Sequence, residues 1–296
     1  MKRRLLIIGC GDVALRAAPL LARRFRLIAL SHTPERFPLL RSRGITPLAG
    51  DLDIPRSLQR IAGLAHAVVH LAPPPGSGEG DPRTARLLAA LGKGRMVPQH
   101  LVYISTSGVY GDCQGARVPE TRPVRPVTAR GRRRVDAERR VRIWGRRVGA
   151  ATAILRVPGI YGPGRLPLER VRSRTPVIAA PEDGFTNHVH ADDLARMVAA
   201  ALFRGRGGRC YNASDDSELK MGDYFDLVAD CFGLPRPPRV SRSDAARTIP
   251  PSLLSFMGES RRLVNRRMKR ELRVRLRFPT VAEGVAAAGR AAPDCG

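Results

Sequence analysis

An α/β fold, a doubly wound parallel sheet followed by a small C-terminal lobe, is what the 296-residue sequence predicts. Three observations predict it. Strand-length apolar runs alternate with helix-compatible segments, a glycine pattern closes the first run, and the alternation breaks down after residue 158. The runs are RLLIIG (4–9), RLIALS (26–31), ITPLAG (45–50), HAVVHLA (66–72), HLVYIS (100–105) and ATAILRV (151–157). They are near-continuously apolar, as strands buried on both faces are, and bounded by Gly, Pro or polar residues. Ligands of such sheets bind beyond the carboxyl ends of the strands, so the residues just after each run are the candidates for function.

The first run passes through Gly9-Cys10-Gly11-Asp12-Val13-Ala14 into the helical ALRAAPLLARRF (14–25). Gly9 permits a tight turn, Gly11 lets the backbone approach a pyrophosphate, and Ala14 allows close helix–strand packing. The helix start offers amide donors and positive potential to phosphates. This pattern assigns Gly9, Gly11, Asp12 and Val13 to a dinucleotide site. About twenty residues on, where an acid usually holds the ribose hydroxyls of NAD, the second run ends in Ser31. His32, Thr33 and Arg36 follow closely, and Glu35 comes only later in the loop. Hydroxyls and an arginine suit a 2′-phosphate, so NADP is the expected cofactor and NAD the alternative.

After residue 158, VPGIYGPGRLP (157–167) reads as a loop, HADDLARMVAAALF (190–203) as a helix and GRCYNAS (208–214) as one more short strand. MGDYFDLVADCFG (221–233) is helical, LPRPPR (234–239) a turn, and SRRLVNRRMKRELRVRLR (260–277) an amphipathic helix with Leu263, Met268 and Leu272 inward. The expected division is a dinucleotide-binding domain over 1–157, completed by about 184–214, and a smaller substrate-binding lobe over 158–183 and 215–296.

The charge is unusual: 52 Lys+Arg stand against 26 Asp+Glu, a formal net charge of +26. A nucleic acid or an anionic membrane would exploit such a surplus. The arginines are spread along the whole chain together with Ala, Gly and Pro, so no specific nucleic-acid or membrane partner is expected. Cys10, Cys113, Cys210, Cys231 and Cys295 are odd in number, widely spaced and without a CxxC pair, which predicts reduced thiols in a cytoplasmic protein. The start, Met1-Lys2-Arg3-Arg4 before LLIIGC, has the order of a lipoprotein signal, but its apolar stretch is too short for one. No segment is long enough to cross a bilayer.

GCGDVA, AGDLD (49–53), VVHLAPPP (68–75), ISTSGVYGD (104–112), LRVPGIYGPGR (155–165), NHVHADDLA (187–195) and YNASDD (211–216) fall in the order and spacing of extended short-chain dehydrogenases. The chain resembles their NAD-dependent epimerase/dehydratase group, the nucleoside-diphosphate-sugar epimerases. The resemblance implies a Rossmann domain carrying a smaller substrate lobe, a homodimer or monomer, and a small-molecule substrate such as a sugar nucleotide. It also implies that Asp51 and Leu52 lie beside the adenine, that Leu71, Ala72 and Pro73 line the cofactor, and that Val157 and Pro158 lie near the nicotinamide. Thr106 falls where this group carries its catalytic hydroxyl, which aligns a substrate oxygen for hydride transfer.

The same group follows that hydroxyl with a tyrosine and a lysine four residues apart. Counting back from Glu138 puts Arg130 at the tyrosine position and Arg134 at the lysine position, and no YxxxK occurs anywhere in the chain. A guanidinium stays protonated up to a pH of roughly 12, so Arg130 cannot cycle a proton. It can polarise a carbonyl or bind an anion, and Arg134 can donate to ribose hydroxyls. Three readings stay open. One is an NADP-dependent reductase or epimerase using Thr106 with Tyr110 or water as proton donor. Another is a catalytically inactive NADP-binding sensor or regulator. The last is an enzyme holding an anionic substrate through arginines of the second lobe, with Arg261, Arg262 and Arg266 as candidates. His188, His190, Asp192 and Asp193 lack a complete ligand set, so no metal is expected.

Overall fold

The computed structural model describes residues 2–249 and 258–290. All seven expected strands form one parallel sheet: β1 (Arg3–Ile8), β2 (Phe25–Ser31), β3 (Ile45–Ala49), β4 (Ala67–His70), β5 (His100–Thr106), β6 (Ala151–Val157) and β7 (Arg209–Asn212). They lie in the order β7-β6-β5-β4-β1-β2-β3. The helices are α1 (Asp12–Ala22), α2 (Phe37–Ser42), α3 (Pro82–Leu91), α4 (Ala129–Val148), α5 (Leu168–Arg172), α6 (Ala191–Arg204), α7 (Met221–Cys231), α8 (Arg242–Thr248), α9 (Arg266–Glu271) and α10 (Val281–Arg290).

β1 shows why the runs are continuously apolar. Leu5 and Ile7 face one layer and Leu6 and Ile8 the other, none more than 1% exposed. Each such side chain contributes about 1.5–3 kcal/mol on burial. On one side lie α1 and α6, where Ala14, Ala17 and Ala18 keep the helix close to the sheet. On the other lie α3 and α4, through Leu87, Leu88, Leu91, Ala137, Val141 and Trp144. Ala137, Val141 and Trp144 recur at helical spacing on the inner face of α4, and Arg132 and Arg139 are exposed. Arg133, however, is buried and donates to the Gly78 carbonyl at 2.7 Å.

A separate apolar cluster gathers α5, α7, α8 and α10 around Tyr161, Val171, Phe225, Val228, Ala245 and Val285. The segment after β6 is not all loop: Gly159–Tyr161 pairs in parallel with His188–His190. The basic tail also departs from a single helix. Arg262–Leu263 pairs with Arg117–Val118, and the helix spans only α9. Met268 and Leu272 are buried as expected, while Leu263 is half-buried. Strand pairing claims the first residues of the tail, and the Asn265 amide donates to the Ser214 and Asp215 carbonyls.

Asp215 is a buried acid in this region. Its Oδ1 accepts from the Ser217 amide at 3.0 Å, and Oδ2 has no partner among the described residues. Burial pushes its carboxyl up to about 8. Because the folded value is raised, the group's stability contribution is present below its unfolded value and lost as pH rises towards 8. Asp215→Asn is therefore expected to raise the melting temperature at about pH 9 and to change it little at about pH 4. Thermal unfolding followed across pH checks this, and a pH-independent difference would contradict it.

Candidate functional site

Two cavities open at the carboxyl ends of neighbouring strands. The first, about 390 Å³, lies beyond β1 to β4. Its floor is the glycine turn. Gly9 has φ +83, and a Cβ there would lie 2.4 Å from the Ala72 amide nitrogen. Only glycine lets this turn meet the 71–72 backbone, whose amides donate to the Ile8 carbonyl at 2.8 and 3.0 Å. Gly11 caps α1 without a side-chain hydrogen bond, and a Cβ there would meet nothing within 4 Å. That open space beside helix amides is where a pyrophosphate fits.

Ser31, Arg36, Asp51, Leu52, Leu71, Ala72 and Pro73 line this cavity together with Gly9 and Gly11. Arg36 reaches across to donate to the Cys10 carbonyl at 2.8 Å, and Ser31 Oγ accepts from the Thr33 amide at 3.2 Å. Asp53 and Arg83, also lining it, form an ion pair at 2.5 Å. The remaining expected cofactor residues lie elsewhere. Val13 and Val157 point into the core, because both sit on the apolar faces of their elements. The Asp12 carboxylate lines neither cavity, because it accepts from Arg16 Nε at 2.8 Å and Arg165 Nε at 2.7 Å. Burial opposes its charge, but these two arginines hold its carboxyl below the usual range.

The second cavity, about 670 Å³, lies beyond β5 and β6. Thr106, Arg130 and Pro158 line it, the last being the expected residue after β6. Thr106 ends β5 and accepts from the Gly108 amide at 3.3 Å. Thr128 caps α4 by accepting from the Gly131 amide at 3.1 Å, so the first turn of α4 carries Arg130 to the cavity. Desolvation and then repulsion from Arg134 lower the Arg130 pKa, with Glu259 opposing. Arg165, Arg170, Arg261, Glu259, His188 and Tyr224 also line it. The guanidinium of Arg170 lies 4.4 Å from the centre of the Phe225 ring. His188, tilted against Tyr224 with ring centroids 4.1 Å apart, is pushed down to about 3 by burial and is neutral.

Two expected participants lie outside both cavities. Tyr110 is buried, donates to Asn212 Oδ1 at 2.8 Å, and has the Arg156 guanidinium 4.8 Å from its ring centre. Burial pushes its phenol up to about 12, and its hydroxyl is engaged within the core. Arg134 Nη1 donates to Tyr103 Oη at 3.0 Å and to the Ile104 carbonyl at 2.7 Å. It is tied to β5, because its position on α4 faces the sheet. Of the tail arginines, Arg261 reaches the cavity, whereas Arg262 donates to the Gly115 carbonyl at 2.7 Å and pairs with Glu218 at 3.2 Å.

Sequence patterns do not single out Glu259, Tyr224 or Arg170, which arrive from separate elements of the second half. Arg165 lies within a quoted motif, but its ion pair with Asp12, 153 residues away, has no local signal. His188 and His190, two residues apart, diverge. The first faces the cavity, and the second caps α6 by accepting from the Asp192 amide at 3.2 Å.

The sequence model of the NAD dependent epimerase/dehydratase family matches residues 15–214. Protein YeeZ of Escherichia coli K12 is 30% identical over 184 residues, 60% of this chain and 63% of that protein's own length. A functionally unknown conserved protein from Silicibacter pomeroyi superposes with a TM-score of 0.81 at 30% identity, covering 98% of this chain and 99% of that one. UDP-glucuronic acid 4-epimerase from Bacillus cereus, in complex with UDP-glucuronic acid and NAD, shares the fold at TM-score 0.76 and 18% identity, covering 97% and 98%.

Proposed function

The chain belongs to the NAD dependent epimerase/dehydratase family, and from that premise we propose that it is a cytoplasmic, NADP-using oxidoreductase or epimerase. Its substrate is a carbonyl or alcohol compound bearing an anionic group, a sugar nucleotide being the type its structural relatives suggest. The observation that carries this reading is the pair of cavities at the ends of neighbouring strands of one sheet. One is shaped by Gly9 and Gly11, and the other is lined by Thr106 and Arg130. Residues 1–157, completed by about 184–214, hold the cofactor in this reading, and 158–183 with 215–296 hold the substrate. Among the described residues, no helix is long and apolar enough to cross a membrane.

Gly9 and Gly11 would hold the pyrophosphate, Asp51 and Leu52 the adenine side, and Leu71 to Pro73 the path towards the nicotinamide. When bound, the cofactor supplies a hydride acceptor or donor. Thr106 hydrogen-bonds the substrate oxygen and orients the carbon bearing the hydride. Arg130, a fixed cation, stabilises negative charge developing on that oxygen, and Arg170 and Arg261 favour an anionic substrate. Phe185, Tyr224 and Phe225 supply apolar surface that excludes water from the reacting atoms.

Ser31 and Arg36 in the first cavity, where the ribose would lie, with no acid at the end of β2, support NADP over NAD. Arg36→Ala is expected to weaken NADPH binding about 10- to 100-fold, the value of one charge-assisted hydrogen bond, and to leave NADH within about twofold. Fluorescence titration with both reduced cofactors checks this, and an equal loss for both would sink the preference. A second reading, a cofactor-binding sensor, is favoured by the fixed charge at the expected proton-transfer position. Cofactor binding without hydride transfer across a broad carbonyl and sugar-nucleotide panel would select it.

A further inference from the structure

Arg130 cannot exchange a proton, so a reaction in this cavity needs another group to do so. Glu259 is the sole carboxylate among the described residues lining the cavity. A Cβ built on Gly108 would lie 3.6 Å from Thr106 Oγ1 and 4.0 Å from Glu259 Oε2, so the hydroxyl and the carboxylate flank the same space. The carboxylate is held in place: Oε2 accepts from Arg261 Nη2 at 2.5 Å, and Arg261 also donates to the Gly111 carbonyl. The adjoining chain is anchored on two sides. The Ser260 amide donates to Asp112 at 2.8 Å, and the Asn187 amide donates to the Arg261 carbonyl at 2.9 Å. Oε1 is buried without a hydrogen-bond partner among the described residues. An unsatisfied buried carboxylate oxygen is costly, and a proton or a substrate hydroxyl relieves that cost.

We propose that Glu259 is the proton-transfer group of this site, standing in for the tyrosine that α4 lacks. The step rests on the enzymatic reading above. In the oxidative direction, the substrate hydroxyl on Thr106 gives its proton to the Glu259 carboxylate. The carbon would release its hydride, with the bonding electron pair, to an oxidised nicotinamide if one were bound, so that a C=O bond forms and Glu259 is left as a neutral carboxyl. In the reductive direction the carboxyl returns the proton to the substrate oxygen. Arg130 and Arg261 keep the developing oxyanion and the carboxylate from being two uncompensated charges. The other titratable groups facing the cavity fit this task less well. His188 is held neutral by burial, and burial raises the pKa of the Tyr224 phenol still further above neutral pH.

The groups facing the carboxyl are Arg261 beside it, Arg130 from α4 and Asp112 from the segment after β5. Burial raises its pKa, and the two arginines oppose the rise. The oxidative rate of the wild type is therefore expected to climb with pH as a group above the ordinary glutamate range deprotonates. The test compares wild type, Glu259→Gln and Glu259→Asp. Cofactor affinity is read by fluorescence, carboxyl titration by infrared difference spectroscopy, and hydride transfer as a pH profile. Glu259→Gln is expected to bind cofactor within about twofold of wild type and to lose the titrating carboxyl band. Its kcat should fall about 100-fold or more, and the pH limb should vanish. Glu259→Asp should keep the limb with a smaller loss, and it decides the matter should the glutamine variant fold poorly. Equal kcat and an unchanged limb in the glutamine variant overturn the proposal alone. A wild type that transfers no hydride to any substrate overturns the enzymatic reading and this step with it.

Discussion

Replacing Glu138 by alanine is expected to destabilise the protein by roughly 3–5 kcal/mol, the range for removing one partner of a buried ion pair. Glu138 is 2% exposed and its partner Arg156 4%. The carboxylate accepts from Arg156 Nε at 3.1 Å and Nη2 at 2.8 Å, from Ser105 Oγ at 2.7 Å and from Arg142 at 3.2 Å. It thereby ties α4 to β5 and β6, and its loss strands the Arg156 guanidinium in the core beside Tyr110. Burial alone would raise the Glu138 pKa, but Arg156, Arg142 and Ser105 outweigh it and hold it below the usual value. A depressed carboxylate contributes stability above its unfolded value and loses it as pH falls through the folded one. Urea unfolding at neutral pH measures the loss. The gap between wild type and Glu138→Gln should narrow as pH falls below the unfolded value of about 4 and through the lowered folded one. A variant within about 1 kcal/mol of wild type would refute this account.

Gly9→Ala and Gly11→Ala are expected to separate stability from cofactor binding. At Gly9 the added Cβ collides with the Ala72 backbone at 2.4 and 2.6 Å, in a conformation with φ +83. Neither backbone can yield without breaking the two hydrogen bonds from the Leu71 and Ala72 amides to the Ile8 carbonyl. A loss of about 3 kcal/mol, with cofactor binding abolished, is the expected result. At Gly11 φ is −87 and a Cβ meets nothing within 4 Å, so the melting temperature should hold. The methyl would instead occupy the space proposed for the pyrophosphate, weakening cofactor binding about tenfold or more, as displaced phosphate contacts do. Normal cofactor affinity in Gly11→Ala would place the pyrophosphate elsewhere.

The seven strands, the glycine turn and the inner face of α4 were legible because each is a short-range pattern. Apolar periodicity and glycine spacing constrain the backbone within a few residues. The absence of a tyrosine–lysine pair is equally a property of the sequence alone. The directions of individual side chains were not. Tyr110 lies in a motif beside Thr106, yet the 3₁₀ turn Ser107–Tyr110 carries it into the core while Thr106 faces the cavity. Asp12 follows the glycines that shape the first cavity, yet its carboxylate is drawn to Arg165 across 153 residues.

Sequence therefore determined the family, the parallel sheet and the charge that replaces the expected dyad. Tertiary structure alone decided what stands near that charge. Arg130 reaches a cavity while Arg134, one helical turn on, bonds back to β5. Glu259 comes to the same cavity from the far end of the chain, held by Arg261, while Asp112 and Asn187 anchor the backbone at Ser260 and Arg261. The physical reason is range. Local propensities act over one or two turns, whereas the position of a carboxylate beside a distant hydroxyl follows from the packing of elements that share no sequence pattern.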